Sequence, residues 1–372
     1  MVIRYKITTQ NNFMKQLLLS SLALLISMVV LSQDKYFTIS GKIVSQKTQQ
    51  PLPGASVFCQ NTTKGTVTNN DGNFILRLAN GGYDLVVSYT GYETNMIRIS
   101  NSDKQKDSLK IEMKEQDKAM QEVVVAGSAE VADGWEKYGQ FFLANFIGTT
   151  PNADLCSIEN KEVVKFYFYK KRNKLRVKAA SNIVIMNNAL GYKINYQLDS
   201  FVYDYNTKIS SYTGYPLFEE LTGSEEQQKT WKKNRFRAYI GSRLHFMRSW
   251  YDSTLKDEGY QIEMLDQNDN NKSTALDDPY DPGIYSVDSG DVDINIKGKI
   301  RVNYKNQVPD KKYLAINKFP ATAKVQISAI DIVDGFVIEE NGYFYEQSEV
   351  TNIGYWAWKK LAELLPYDYN PE

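Results

Sequence analysis

From Tyr36 to Met113 the apolar residues recur at every second position. A period of two lines up one face of an extended strand, whereas a helix would need spacings of three and four. Phe37, Ile39 and Ile43 open the series, followed by Ala55 and Val57, then by Phe74, Leu76 and Leu78. Tyr83, Leu85, Val87 and Tyr89 come next, and Leu109, Ile111 and Met113 close it. Between the runs stand "PLPG", "NNDG", "NGGY" and "YTGY", clusters of the residues that reverse a chain. Short one-faced strands with such turns predict a small antiparallel β-sandwich.

The stretch "GTVTNNDGNFIL" (65–76) tests that reading. A calcium loop needs carboxylates at alternate positions and a bidentate acid further on, but Asp71 is the one charged residue here. Val67 is expected to end one strand and Phe74 to begin the next, with Asp71-Gly72 supplying the positive φ angles of a tight hairpin.

Ahead of the sandwich, "MKQLLLSSLALLISMVVLSQ" places Lys15 before an apolar core from Leu17 to Leu31. That core is shorter than the ~20 residues of a spanning helix, and Val30 and Ser32 are small enough to precede a cleavage point. The expectation is an export signal over residues 1–33, with Met14 as the start of translation and a mature chain beginning near Gln33 or Asp34. Export would carry Cys59 and Cys156 into an oxidising compartment. One pair so far apart is no disulfide framework, and a buried strand residue and a separate thiol is the simpler reading. Lys+Arg and Asp+Glu are both 44, so net charge gives no pull toward nucleic acid.

The motifs of the first region resemble a known family. "G-K-I-V", "P-L-P-G-A-S-V", "G-T-V-T-N-N-D-G-N-F" and "S-Y-T-G-Y" occur in that order, as in the carboxypeptidase-regulatory-like domain of Bacteroidetes envelope proteins. The resemblance implies a transthyretin-like sandwich, which in that group often precedes TonB-dependent outer-membrane receptors. It implies no peptidase activity. A connector, "KEQDKAMQ", leads to "EVVV", Glu122, Val123, Val124 and Val125, similar to the segment before a receptor plug. Three valines favour an extended chain, able to add as a strand to a partner's sheet or to pair within its own fold. A plug and a large barrel would need several hundred more residues than follow, so a full receptor is not expected.

The second half reads differently. Trp135 to Ile147 predicts a helix, and "VVKFYFYK", "KLRVKAA", "NIVIMN", "YKINYQL" and "FVYDYN" predict strands. Phe236, Ile240, Leu244, Met247, Tyr251 and Leu255 are spaced at three and four, predicting one helix from Glu225 to about Leu255. Strands return at "VDINIKGKIRVNYKN" and "KVQISAIDIVDGFVIEE", and "GYWAWKKLAELL" predicts a final helix. The pattern is an α+β domain. It is similar to the domain of unknown function that follows this sandwich in other Bacteroidetes envelope proteins. The expected order is a signal over 1–33, the sandwich over 34–114, a linker over 115–133 and the α+β domain over 134–372.

Chemistry is thinly marked. His245 is the single histidine, so any His-dependent triad must use it, and the favoured reading is a packing residue. One His and two distant Cys are too few for zinc. Asp266, Asn268, Asn270 and Asp277 fall at positions one, three, five and twelve of a calcium-type loop, but Asn271 stands where glycine is needed. Glu219-Glu220, Asp277-Asp278 and Glu339-Glu340 are adjacent carboxylates of the kind solvated surfaces carry, and the sequence cannot place any pair at a glycosidase separation. Lys229, Lys232, Lys233, Arg235, Arg237, Arg243 and Arg248 make the predicted helix basic, either as a solvated face or as a site for anionic head groups. Tyr203, Tyr205, Tyr212 and Tyr215 either fill a sheet or offer rings to a sugar.

The sequence therefore predicts an exported, non-catalytic envelope protein without cofactor or metal. Its partner would be an envelope protein or a glycan, with contact at the outer-membrane surface and none with nucleic acid. A hydrolase of cell-wall or glycan substrates and an accessory to TonB-dependent uptake are the alternatives.

Overall fold

The structure, a computed structural model, describes residues 36–102, 108–116, 129–266, 269, 272–345, 347 and 350–371. The export signal and Glu122–Val125 lie outside the described residues. The first region forms a sandwich from β1 (Tyr36–Ser45), β2 (Ser56–Cys59), β3 (Gly65–Val67), β4 (Asn73–Ala79), β5 (Gly82–Ser88), β6 (Asn95–Ser100) and β7 (Leu109–Met113). One sheet has the order β4-β1-β7 and the other β3-β2-β5-β6. The alternating residues meet between them: Ile43, Val57, Leu78, Leu85, Val87 and Met113 are fully buried, at roughly 1.5–3 kcal/mol of transfer free energy each. The sandwich is not purely antiparallel, because β7 pairs parallel to β1 from Gly41↔Leu109 to Ser45↔Met113. The chain after β6 crosses to the opposite sheet instead of reversing.

The Asn69–Gly72 turn is likewise a crossover and not a hairpin. β3 and β4 belong to different sheets. Asn69 Oδ1 accepts from the amides of Asp71 and Asn73 at 3.0 and 2.9 Å, an Asx turn. Only Gly72 takes a positive φ, 76°, and a Cβ there would stand 2.6 Å from the Ile43 carbonyl oxygen. Gly72→Val should therefore destabilise the protein by about 2–4 kcal/mol, adding left-handed strain to a backbone collision. A urea midpoint within error of wild type would contradict this.

The second half holds two large cores, not one. The first lies under a six-stranded sheet of β8 (Cys156–Ile158), β9 (Val164–Tyr169), β10 (Lys174–Ala179), β11 (Ile183–Asn187), β12 (Tyr192–Asp204) and β13 (Ile209–Glu220). The expected strands "YKINYQL" and "FVYDYN" are the two ends of β12, joined through an irregularity between Leu198 and Ser200. Helix α1 (Gly134–Phe146) seals the sheet. Phe142 and Phe146 are fully buried and meet Phe201 and Tyr196 edge-on at 5.1 and 4.9 Å.

The expected long helix is broken. α2 (Glu225–Tyr239) begins at a capping box of Ser224 and Gln227, and α3 (Arg243–Tyr251) begins afresh where the Ser242 side chain accepts from the His245 amide. Gly241 between them takes φ 70°, which ends a helix. The true buried face of α2 is Trp231, Arg235, Ala238 and Tyr239, while Phe236 of the expected stripe is 45% exposed.

The third core lies between two sheets. β14 (Tyr260–Leu265), β15 (Ser273–Ala275), β16 (Tyr285–Asp288), β17 (Asp291–Ile294) and β18 (Gly298–Tyr304) are followed by α4 (Lys311–Ile316), β19 (Gln326–Ile332), β20 (Phe336–Ile338) and β21 (Val350–Gly354). The sheet orders are β15-β14-β18-β19-β21 and β16-β17-β20. Each of the two long strand-forming runs thus bends and feeds both sheets. Trp250 of α3 is fully buried and meets Phe336 edge-on at 5.9 Å. The expected closing helix is one turn, α5 (Tyr355–Trp358), and a separate 3-10 turn at Leu361–Glu363. Cys59 and Cys156 are unpaired. Burial pushes the Cys156 thiol up to about 12. Among the described residues no helix is long and apolar enough to cross a membrane.

Candidate cleft at the junction of the three cores

The sandwich is clamped to the rest of the chain by its β2–β3 loop. The Asn61 amide donates to the Pro216 carbonyl at 2.7 Å, and the Phe218 amide donates to Thr62 at 2.9 Å, so the loop extends the edge of β13 in parallel. On its other side the Tyr367 amide donates to the Asn61 carbonyl at 2.8 Å. The Thr63 amide donates to Asp368 at 2.9 Å, and its hydroxyl makes a second, short bond to the same carboxylate. Because the Asn61, Thr62, Pro216, Phe218 and Tyr367 bonds are between backbone groups on three separate segments, the loop is held largely by geometry that side-chain patterning does not record.

A second seam joins β5 and β6 to the β20–β21 region. Asn341 Nδ2 donates to the Gly82 carbonyl at 2.9 Å, and Tyr343 Oη donates to Asp84 at 2.8 Å. A Cβ on Gly82 would lie 2.7 Å from the Tyr343 ring, so the close approach needs glycine. Glu339, 2% exposed, accepts from Ser100 Oγ at 3.0 Å and from the Tyr345 hydroxyl. Ser102 donates to Asp291 at 3.1 Å. Burial, with the nearby Asp291 carboxylate adding to it, pushes the Glu339 carboxyl up to about 7.

Between the seams opens a cleft of about 750 Å³, lined by all three cores. Asp84, Met96 and Arg98 come from the sandwich, Asp199, Tyr212 and Tyr215 from the six-stranded sheet, and Arg243 and Leu244 from α3. Lys359, Lys360 and Glu363 come from the C-terminal tail. Two wall residues carry buried acceptors that no group among the described residues satisfies, Asn61 Oδ1 and Asn352 Oδ1. Asn61 is 7% exposed, and its amide nitrogen is already committed to the Leu365 carbonyl at 3.4 Å. Leaving such an acceptor unmet costs about 1–3 kcal/mol, which a donor from the cleft would recover once the wall side chains turn to admit it. Burial raises Asp84 and Glu363, while Tyr343 and Arg98 at the first and Lys359 at the second oppose the shift.

The four tyrosines are divided. Tyr203 and Tyr205 pack on Phe141 of α1 at 4.6 and 5.9 Å and belong to the core wall; Tyr212 packs on Phe146 and Phe201 of the same core at 5.2 and 6.2 Å and also borders the cleft, which Tyr215 faces. The calcium-type loop is not assembled. β14 and β15 form a hairpin with Leu265 opposite Ser273, so Asp266 sits at its tip while exposed Asp277 lies beyond the far end of β15. Asn268 and Asn270 lie outside the described residues. Among the described residues no cluster of three His, Cys, Asp or Glu side chains is placed to hold a metal.

His245 is a packing residue with a fixed tautomer. Its Nδ1 accepts from the Gly241 amide at 3.2 Å, leaving Nε2 to donate to Glu258 at 3.1 Å. Burial lowers its pKa against the pull of Glu258. Two cations of the basic stretch are turned inward, while Lys229, Lys232, Lys233 and Arg237 stay on the exposed face of α2. Arg235 donates to the carbonyls of Leu190 and Gly191 at 2.7 and 3.0 Å. Arg248 donates to those of Asn341, Tyr369 and Tyr367 at 3.0, 2.9 and 2.8 Å. Of the adjacent carboxylates, Glu219 pairs with Lys193 and Glu220 with Arg235. Asn61 and Asn352 carry no sequence signal, since an asparagine with an unmet oxygen looks like any other.

Residues 39–125 match the CarboxypepD_reg-like domain family, which bears out the resemblance read from the motifs. Over 125 residues the chain is 34% identical to the TonB-dependent receptor SusC of Bacteroides thetaiotaomicron, covering 33% of this chain and 11% of that protein. Over 124 residues it is 28% identical to the TonB-dependent receptor P3 of Formosa agariphila, covering 33% and 12%. The chain thus spans about a tenth of the length of these relatives. A 3-chlorocatechol 1,2-dioxygenase from Rhodococcus opacus aligns at 11% identity over 23% of this chain and 61% of that one, with a TM-score of 0.19, too slight to carry a fold argument.

Proposed function

We propose that the protein is an exported, non-catalytic binding or assembly protein of the cell envelope, periplasmic or held at the outer membrane, and that its ligand is a hydroxyl-rich molecule of the glycan class. The observation that carries this reading is the pair of unmet amide oxygens in the walls of the junction cleft. Hydroxyl groups supply the donors those oxygens lack, and the ring of Tyr215 offers an apolar face of the kind sugar rings stack on. The likeness of the first region to TonB-dependent receptors supports an envelope setting. It also supports a second reading, an accessory to TonB-dependent uptake. The division into a sandwich over 34–114, a connector over 115–133 and an α+β part over 134–372 belongs to the same proposal.

Calorimetric titration with soluble peptidoglycan fragments and with neutral and acidic oligosaccharides tests it. Asn352→Ala should weaken the ligand found by about five- to tenfold, the loss of one hydrogen bond. It should leave the melting temperature unchanged or higher, because a buried unmet acceptor has been removed. A lower melting temperature with unchanged affinity would assign Asn352 to the fold and remove the site. Recovery of a cleaved ligand would overturn the non-catalytic reading.

A further inference from the structure

We propose that the segment from Lys305 to Lys324 is a docking surface for an anionic phospholipid bilayer. It carries five lysines and one acid, Asp310, in a chain whose charges balance as a whole. Lys312 pairs with Asp154 at 3.5 Å. For Lys305, Lys311, Lys318 and Lys324 the described residues supply no ion partner. Among these cations three apolar side chains stand in solvent: Val308, Ile316 and Phe319, at 58, 57 and 51% exposure.

The tips are held on a rigid base. Tyr313 and Leu314 of α4 are buried with Tyr355 in a small cluster of their own, which turns Lys311, Lys312, Ala315 and Ile316 outward. Asp310 caps the helix by accepting from the Lys312 amide at 2.7 Å. After a left-handed residue at Lys318, the Phe319 amide donates to the Leu314 carbonyl at 2.9 Å. The Phe319 ring lies 5.8 Å from that of Tyr313. Docking therefore orders little that is not already ordered.

The composition decides the occupant. Protein interfaces are depleted of lysine. A lipid surface accepts apolar tips below the head groups while lysine stems reach back to the phosphates. Each lysine near an anionic surface strengthens binding by about fivefold. This proposal does not rest on the cleft, and each can fail without the other.

Sedimentation of the full chain with lipid vesicles tests it. The protein should pellet with phosphatidylglycerol–phosphatidylethanolamine vesicles, and not with phosphatidylcholine vesicles, and salt should weaken binding. Lys311→Gln with Lys324→Gln should lower partitioning roughly thirtyfold. Ile316→Ser with Phe319→Ser should abolish whatever binding survives high salt. The lysine pair is exposed and should melt like wild type, and the apolar pair should lose only the Phe319–Tyr313 ring contact and still melt cooperatively. Equal binding to both lipids, no binding, or insensitivity to both pairs would overturn the proposal. So would self-association through these residues without vesicle binding, which would make a second copy the occupant.

Discussion

Arg248→Met is expected to lower stability by about 3–5 kcal/mol and to expose the C-terminal tail to protease. The guanidinium fork donates to three backbone carbonyls, those of Asn341, Tyr367 and Tyr369. A methionine of similar length keeps the packing and leaves all three without that donor. The damage should spread. Tyr367 holds Asn61 of the sandwich loop, and Asn341 holds Gly82 on the second seam, so one side chain braces both attachments. Lysine is no substitute, because a point charge cannot match three acceptors in one plane. Urea midpoints for wild type, Arg248→Lys and Arg248→Met should fall in that order. A loss under about 1 kcal/mol for methionine, with the tail still resistant to protease, would show that the fork is dispensable.

Glu339→Gln is expected to stabilise the protein at neutral pH. Glu339 is buried beside Asp291 and binds its proton more tightly in the fold than in the unfolded chain, near 7 against 4.5. The native state therefore holds more protons between those values, so stability falls as pH rises from about 4.5 to about 7 and levels off above. Glutamine keeps one oxygen to accept from Tyr345, turns its NH2 toward Asp291 and the Ser100 hydroxyl, which can both accept from it, and removes the charge. The gain at neutral pH should be roughly 2–3 kcal/mol, vanishing toward pH 4.5, where wild-type Glu339 is already neutral. The other groups facing this carboxyl are Ser100, Tyr345 and Asp291, with Arg98 stacked 3.9 Å over the Tyr345 ring. A variant less stable than wild type at neutral pH would mean that the charged form is the one the fold needs.

The alternation that named Val57, Leu78 and Leu85 as core residues is enforced by the pleat, which allows no other face. The helical stripe from Phe236 to Leu255 matched its template and still misled. Gly241-Ser242, a stop followed by a cap, outweighs periodicity because it removes the hydrogen bonds that would carry one helix into the next. The calcium-type spacing shows a related effect at its two described residues: Asp266 and Asp277 are close in number but lie at opposite ends of a hairpin. Asp71-Gly72 was legible as a turn and not as a crossover, since turn chemistry fixes φ but not which sheet the next strand joins.

Local physics therefore settled what depends on neighbours in the chain: the one-faced strands of the sandwich, its turns, helix α1 and the family motifs over residues 39–125. The tertiary structure alone decided what depends on distant groups meeting. Arg248 finds its carbonyls 93, 119 and 121 residues away. Asn61 is pinned by Pro216 and Tyr367, and its unmet oxygen exists only because that pinning buries it. Glu339 is perturbed first because the seam buries it, and then because β20 and β17 are partners that bring Asp291 beside it. Burial and charge coupling are properties of an environment, and an environment assembled from three cores has no signature in any one stretch of the chain.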